Sequence, residues 1–262
     1  MTDLLLPTYA LWRREIVRFV RQRSRVTGAF AQPLVFWLLL GGGLNASFRP
    51  AGAPAGTNYV EYFYPGTIAL VLLFTAIFAT ISTVEDRREG FLQGVLVAPV
   101  PRWTIVLGQA LGGTTLAVAQ GILFLLLAPL LGIHVSAASF VATILVMTIV
   151  SVALTSLGLI IAWRMESTQG FHAIMNLILI PIWLLSGAFF PATGAPAPLR
   201  ILMTINPLTY GMAALRRCLY LGNPAAAGPV PALLPSVLVS LLFCAVAFAV
   251  ATRTAQRSGL PR

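Results

Sequence analysis

Residues 62–89 read YFYPGTIALVLLFTAIFATISTVEDRRE. From Tyr62 to Val84 no side chain carries a charge, and then Glu85, Asp86, Arg87, Arg88 and Glu89 follow in a row. An apolar run of this length meets the roughly 20 residues that a helix needs to cross a bilayer core. Tyr62, Phe63 and Tyr64 mark one boundary as an aromatic belt does. The stretch predicts a membrane-spanning helix over 62–84, interrupted by the charged run.

Composition carries the same reading to the whole chain. Its 262 residues are 58% hydrophobic and only 9% charged, and the mean hydropathy is +0.89. A soluble domain is about 25% charged, so this chain must turn much of its outside to lipid. Further spans are expected at about 28–44, 103–131, 138–163, 171–190 and 232–251. Pro181 is expected to kink the fifth, and Pro129 to bend the long third. Six spans leave short loops and no separate soluble domain. The expected fold is an all-α polytopic membrane protein, a single transmembrane domain over 1–262.

Three stretches lie outside the spans. Residues 1–27 alternate arginines with Leu11, Trp12, Ile16, Phe19 and Val20 at a helical period, which predicts an amphipathic helix at the interface, arginines toward anionic head groups. Residues 85–102 hold the charged run, then Phe91, Leu92, Val95 and Leu96 on one face of a short helix stopped by Pro99 and Pro101. Such a helix can lie on lipid or dock in another protein's groove. Residues 191–231 are too apolar for a plain loop and too broken for a span. They read as two short helices around Asn206-Pro207, a re-entrant hairpin buried in protein because irregular backbone at depth needs partners.

All 17 basic residues are arginine, and the net charge is +10. They flank apolar segments rather than line a groove, so nucleic acid is rejected as a partner. Thirteen fall on the side of both termini and four on the other. The positive-inside rule then places both termini in the cytoplasm. The arginine-rich start does not read as a cleaved signal peptide. With no lysine, a phosphate-binding Walker A loop and a Schiff-base lysine are excluded. Cys218 and Cys244 are too isolated for a metal or redox motif. Ser186 lacks the setting of an intramembrane serine protease, and His134 and His172 are not placed to meet it, so no catalytic residue is expected. No span interior holds Asp, Glu, Lys or Arg, which argues against a proton- or sodium-driven path. Gly108 and Gly112 have the spacing that lets helices approach closely.

The stretch from Arg88, Glu89, Gly90 and Phe91 through Leu92 and Leu96 to Pro99 and Arg102 resembles the cytoplasmic loop signature of type-2 ABC exporter permeases. Asn206-Pro207-Leu208-Thr209-Tyr210 followed by Arg216 resembles that family's motif before the last span. The order of a basic amphipathic helix, six spans and a broken outer hairpin is also similar, so the resemblance covers essentially the whole chain. Gln93 stands where the family often carries a glutamate.

The resemblance implies a membrane subunit that works as a dimer, homo- or heterodimeric, in the plasma (inner) membrane. Each copy would pair with a separate ABC ATPase that holds ATP and magnesium; this chain would hold no cofactor. Residues 89–97 would form the coupling helix, with Arg88 and Glu89 as polar anchors, Phe91, Leu92 and Leu96 as apolar ones, and the N-terminal helix adding to the contact. Phe74, Phe78, Asn176 and Trp183 would be candidates for the substrate path, with ordinary helix packing the competing reading for each. The cargo would be hydrophobic or amphipathic, as in the antibiotic-resistance and nodulation-factor branches. Polysaccharide or lipo-oligosaccharide export is the alternative, and a non-transporting scaffold subunit the alternative of another class.

Overall fold

A computed structural model describes residues 2–44, 58–97 and 99–257. The elements are α1 (Thr2–Arg21), α2 (Arg23–Leu44), α3 (Tyr59–Arg88), α4 (Phe91–Val97), α5 (Arg102–Leu125), α6 (Ala137–Ala162), α7 (Thr168–Trp183), α8 (Ala197–Ile205), α9 (Pro207–Leu219) and α10 (Leu233–Arg257). Among the described residues there is no strand. Six helical stretches are long and apolar enough to cross a membrane: Val26–Leu44, Tyr59–Arg88, Arg102–Leu125, Ala137–Ala162, Thr168–Ala188 and Leu233–Arg257. The all-α, six-span fold read from the sequence is the one observed.

The bundle is built around α3. Its apolar window is 89% buried, against 18% for α2 and 17% for α10. Helices α2, α5, α6, α7 and α9 pack around it. Its Phe63, Ile68, Leu72, Leu73 and Ile77 meet Phe124 of α5, Met147 of α6, Phe171 and Met175 of α7 and Met212 of α9 in one core. By contrast α2 and α10 turn Phe36, Leu38 and Leu39, and Leu234, Leu242 and Val246, outward. An all-round apolar helix in the middle and one-sided helices at the rim follow from lipid being as good a solvent for Leu as protein is.

Two boundaries differ from expectation. Helix α3 starts at Tyr59, where the Asn58 side chain accepts from the Val60 amide at 3.0 Å, and continues through Arg88. The charged run is therefore its last turn and not a break, because α1 supplies arginines against Glu85 and Asp86. Helix α5 ends at Leu125 and not near Leu131, giving way to a 3-10 turn at Ala128–Leu131. Pro129 lacks the amide that would serve the Leu125 carbonyl, and its ring crowds that oxygen.

Helix α1 also departs from the reading of an interfacial helix whose arginines face head groups. It lies along the first turns of α5, with Thr8, Leu11, Glu15 and Phe19 buried. Gly108 and Gly112 form the seat. A Cβ on Gly108 would stand 2.8 Å from the Leu11 Cβ and 2.9 Å from the Thr8 carbonyl oxygen, and one on Gly112 2.6 Å from the Glu15 Cβ. The Trp12 indole N–H donates to the Thr115 hydroxyl at 3.0 Å. Leu6, Tyr9 and Val20 remain on the outer side.

Gly112→Leu should lift α1 from α5 and cost about 1–3 kcal/mol, the usual range for overpacking. A clear fall in melting temperature in detergent is expected, while Gly42→Ala, which meets nothing within 4 Å, should leave it unchanged. Equal melting temperatures for the two variants would remove the seat from the account.

Candidate functional site

Most of the sequence's marked residues gather at the end of the bundle where α4 lies. Helix α3 stops because Gly90 takes φ +78°, a conformation natural to glycine, which lets the chain reverse into α4. The backbone amide of Glu89 closes the last turn on the Glu85 carbonyl at 2.8 Å.

Asp86 is almost fully buried. Arg14 approaches it as a fork, with both terminal nitrogens at 2.6 Å from its two oxygens. Arg18 also bonds Asp86 and reaches Glu85 at 2.8 Å. Bidentate guanidinium–carboxylate pairing fixes direction as well as distance, so α1 is held in one register against α3. The Asp86 bond raises the Arg14 guanidinium further above its already high ordinary value. The same guanidinium lies over the Phe91 ring, 3.8 Å from its centre. Arg14 thus links α1, α3 and α4.

Leu92 completes the junction. It is 2% exposed and packs with Leu11 of α1, Ile105 and Val106 of α5, Leu159 and Trp163 of α6 and its C-terminal cap, and Ala251 and Ala255 of α10. Val95 and Leu96 are half-buried against the same group. Arg87 donates to the Trp163 carbonyl, closing the end of α6. Leu92 is turned into this chain and Leu96 is half-buried, so of the expected apolar anchors Phe91 is the one that stays exposed. What α4 shows outside is Phe91, Gln93, Gly94 and Val97, with Arg88, Glu89 and Pro99 exposed beside them and Arg102 half-buried at the start of α5. Leu92 therefore ties α4 into one apolar cluster with residues of α1, α5, α6 and α10.

Glu15 sits on the buried stripe of α1 at 4% exposure, and its carboxyl lies 2.6 Å from the Ser82 hydroxyl. Burial first, and then the Asp86 charge, push this carboxyl up; the Ser82 bond, Arg14 and Arg18 pull the other way. A protonated Glu15 can donate to Ser82, leaving the Ser82 proton for the Ala79 carbonyl at 2.6 Å.

The Asn206–Arg216 motif lies at the opposite end, where α7 breaks. Regular helix passes through Pro181 to Trp183, and a π-turn follows at Leu184–Ala188, in which Gly187 takes φ +82°. The kink expected at Pro181 is thus displaced to Gly187. Carbonyls in and around the turn find side-chain donors. Asn206 donates to Ile182 at 2.6 Å, Ser186 to Trp183 at 2.6 Å, and Thr209 to Leu185 at 3.3 Å. Gly187 accepts from the Tyr62 hydroxyl at 3.1 Å and from Arg216 at 3.3 Å, and Phe189 from Tyr59 at 3.2 Å. Asn206 also caps α9, accepting from the Leu208 amide at 3.0 Å, with Pro207 opening the helix. Tyr210 bonds the Thr204 carbonyl of α8 at 3.1 Å. Arg216, 2% exposed, donates to the Tyr62 carbonyl at 2.9 Å and lies 4.0 Å from the centre of the Tyr62 ring.

The four candidates for the substrate path do not share a surface. Phe74 is in the core around α3. Trp183 is buried and donates to the Gly66 carbonyl at 2.9 Å. Both are buried among helices of this chain. Phe78 is half-buried against His172, ring centres 6.0 Å apart, and Asn176 is exposed one turn further along α7.

Sequence reasoning missed Arg14, Glu15, Arg18 and Asp86 as a set, and Tyr59 and Tyr62 as carbonyl donors. One signal was available: Leu11, Glu15 and Phe19 fall at i, i+4, i+8, which puts a carboxyl on an apolar stripe. Among the described residues no group of three or more His, Cys, Asp or Glu could hold a metal.

The family model for the ABC-2 type transporter matches residues 7–220. The chain belongs to that family. The permease is similar to nodulation protein J of Rhizobium leguminosarum bv. trifolii, 27% identical over 218 residues, 82% of this chain and 81% of that one. It is similar to the ycf38 protein of Cyanophora paradoxa, 26% identical over 212 residues, 79% of this chain and 72% of that one. It is also similar to the inner membrane transport permease YadH of Escherichia coli strain K12, 25% identical over 209 residues, 79% and 80% of the two chains. The matched stretch includes both the α4 junction and the Asn206–Arg216 segment of the permease.

Because the folded Glu15 carboxyl titrates above the unfolded one, its contribution to stability is full below about pH 4.5 and lost as pH rises through the raised value. Glu15→Gln should remove that slope and melt at or above the parent near neutral pH; a parent curve already flat from about pH 4.5 upward would contradict it. Arg216→Met should cost about 2 kcal/mol, the scale of a charged hydrogen bond, read as a lowered melting temperature. No loss there would mean the α7 break is held without Arg216.

Proposed function

We propose that this chain is the membrane subunit of an ATP-driven exporter, coupled through α4 to a separate ABC ATPase that holds ATP and magnesium. The observation that carries the reading is the junction at Leu92. A seven-residue helix packs against the end of α3, its Leu92 shares one buried cluster with residues of α1, α5, α6 and α10, and its other face is open. The open edge presents Val97 at 86% exposure and Phe91 at 40%, flanked by Arg88 and Glu89. An apolar edge with charges at its rim suits a groove in a partner protein. A push on α4 from an ATPase would move the bundle as a lever moves its load.

In this reading the α4 end and both termini face the cytoplasm, as the excess of arginines there favours. The membrane is the bacterial inner membrane, in keeping with the likeness to YadH. Two permease copies assemble, each with an ATPase. Helices α8 and α9 dip into the membrane from outside, and the many side-chain bonds to carbonyls near their junction are what irregular backbone at depth requires. The cargo is hydrophobic or amphipathic, because the span interiors offer neutral polar groups such as Asn176 and no fixed charge.

The test separates docking from folding. Val97→Asp combined with Gln93→Arg should leave the melting temperature of the purified permease unchanged. It should weaken co-purification with a co-expressed ABC ATPase at least about tenfold, equivalent to 1.4 kcal/mol, and abolish dye efflux from reconstituted vesicles. Leu92→Asp should instead lower the melting temperature itself. Full retention of ATPase and efflux by the double variant would sink the reading.

A further inference from the structure

The end of the bundle that carries α8 and α9 holds a recess of about 740 Å³ that the coupling reading does not use. Its walls come from three places: Glu61 in the first turn of α3, the turn between α5 and α6 with His134 and Ser136, and the segment after α9 with Tyr220 and Asn223. The size falls within the range of small-molecule sites, about 300–1,000 Å³. The wall is braced from within. Pro65 has no amide to serve the Glu61 carbonyl, and the Tyr220 hydroxyl donates to that oxygen at 3.4 Å.

Glu61 is the one described acidic side chain at this end. The other described acidic side chains, Glu15, Glu85, Asp86, Glu89 and Glu166, are at the α4 end. Every ion pair among the described residues is at that end too. The described arginines at this end are committed to backbone oxygens. Arg200 bonds the Ala195 carbonyl, Arg216 those of Tyr62 and Gly187, and Arg217 those of Val230 and Pro231. A half-buried carboxylate thus lines a recess without an ion pair among the described residues. A carboxylate in such a place attracts a positive charge from outside.

The ligand class follows from the donors. One carboxylate and one histidine are too few to hold a divalent metal, in line with the absence of any metal-capable cluster among the described residues. A carboxylate beside a tyrosine ring favours an organic ammonium, and the polar side chains of His134, Ser136 and Asn223 suit hydroxyl or amide groups next to it.

We infer that the recess at Glu61 binds a primary ammonium group flanked by hydrogen-bonding groups, carried by a lipid head group or by a free amine. The site lies at the end opposite α4, so its occupancy does not depend on ATPase docking.

Native mass spectrometry of the full chain from mixed vesicles should show phosphatidylethanolamine retained over phosphatidylcholine if the source is lipid. Saturation-transfer NMR with ethanolamine and glucosamine on the lipid-stripped chain should show contact if the source is free amine. In whichever arm is positive, Glu61→Gln should weaken binding about tenfold (1.4 kcal/mol per decade), and Glu61→Asp should restore part of it. Both variants should melt as the parent does, since Glu61 is not fully buried and its side chain makes no ion pair. Failure of both arms, or binding unchanged in Glu61→Gln, overturns the inference.

Discussion

Asp86 accepts two guanidinium groups from α1 while almost wholly withdrawn from water. A buried carboxylate without such partners would be expelled or neutralised. With them, it becomes the point from which the end of the bundle is set out. Because Arg14 forks onto Asp86, α1 cannot slide along α3. Because the same guanidinium covers Phe91, α4 cannot swing free of α1. Leu92 then enters the space that these contacts leave between α5, α6 and α10. The charged run is helical for the same reason: removing α1 would strip the buried Asp86 of the two guanidinium groups that balance it.

The other end of the molecule solves a different problem by similar means. The turn at Gly187 frees carbonyls that a continuous helix would have used, and an unserved carbonyl away from water is costly. Tyr59 and Tyr62 from α3, and Asn206, Thr209 and Arg216 from the α8–α9 region, serve them. Broken backbone in this chain is therefore not loose backbone. Arg216 contributes as a cation among dipoles, which leaves the nearest carboxylate, Glu61, to other uses.

Much of this was legible in the sequence. Uncharged runs of spanning length mark six helices because charge is so unfavourable in lipid. Two prolines, Pro99 and Pro101, stop α4, and Asn206-Pro207 announces a helix start through side-chain capping. What could not be read was facing. Helix α1 has apolar residues on both sides, Leu11 and Phe19 inward and Leu6 and Val20 outward, so its periodicity marks a helix without saying which stripe packs. The four-residue pattern of α4 is the same whether it meets lipid, a partner or its own bundle; only contacts from residues far along the chain decide. The packing of Phe74 was hidden for a related reason. Helix α3 is buried on every side, so an aromatic on it carries no information about a pore. Pairings such as Arg14 with Asp86 join positions 72 residues apart, and no local rule reaches that far.

The seat made by Gly108 and Gly112 also imposes an order in time. Helix α1 leaves the ribosome before α3 and α5, yet the surface it fits belongs to α5, and its ionic partners belong to the end of α3. Until about 90 more residues have been made, taking several seconds at the usual rate of 5–20 residues per second, Arg14, Arg18 and Glu15 must wait at the membrane surface. The clasp closes backward, with the earliest segment locking onto later ones. A truncated product that lacked α5 would keep a sticky, cationic, half-apolar helix exposed, which gives quality-control proteases a physical mark by which to tell an unfinished chain from a finished one.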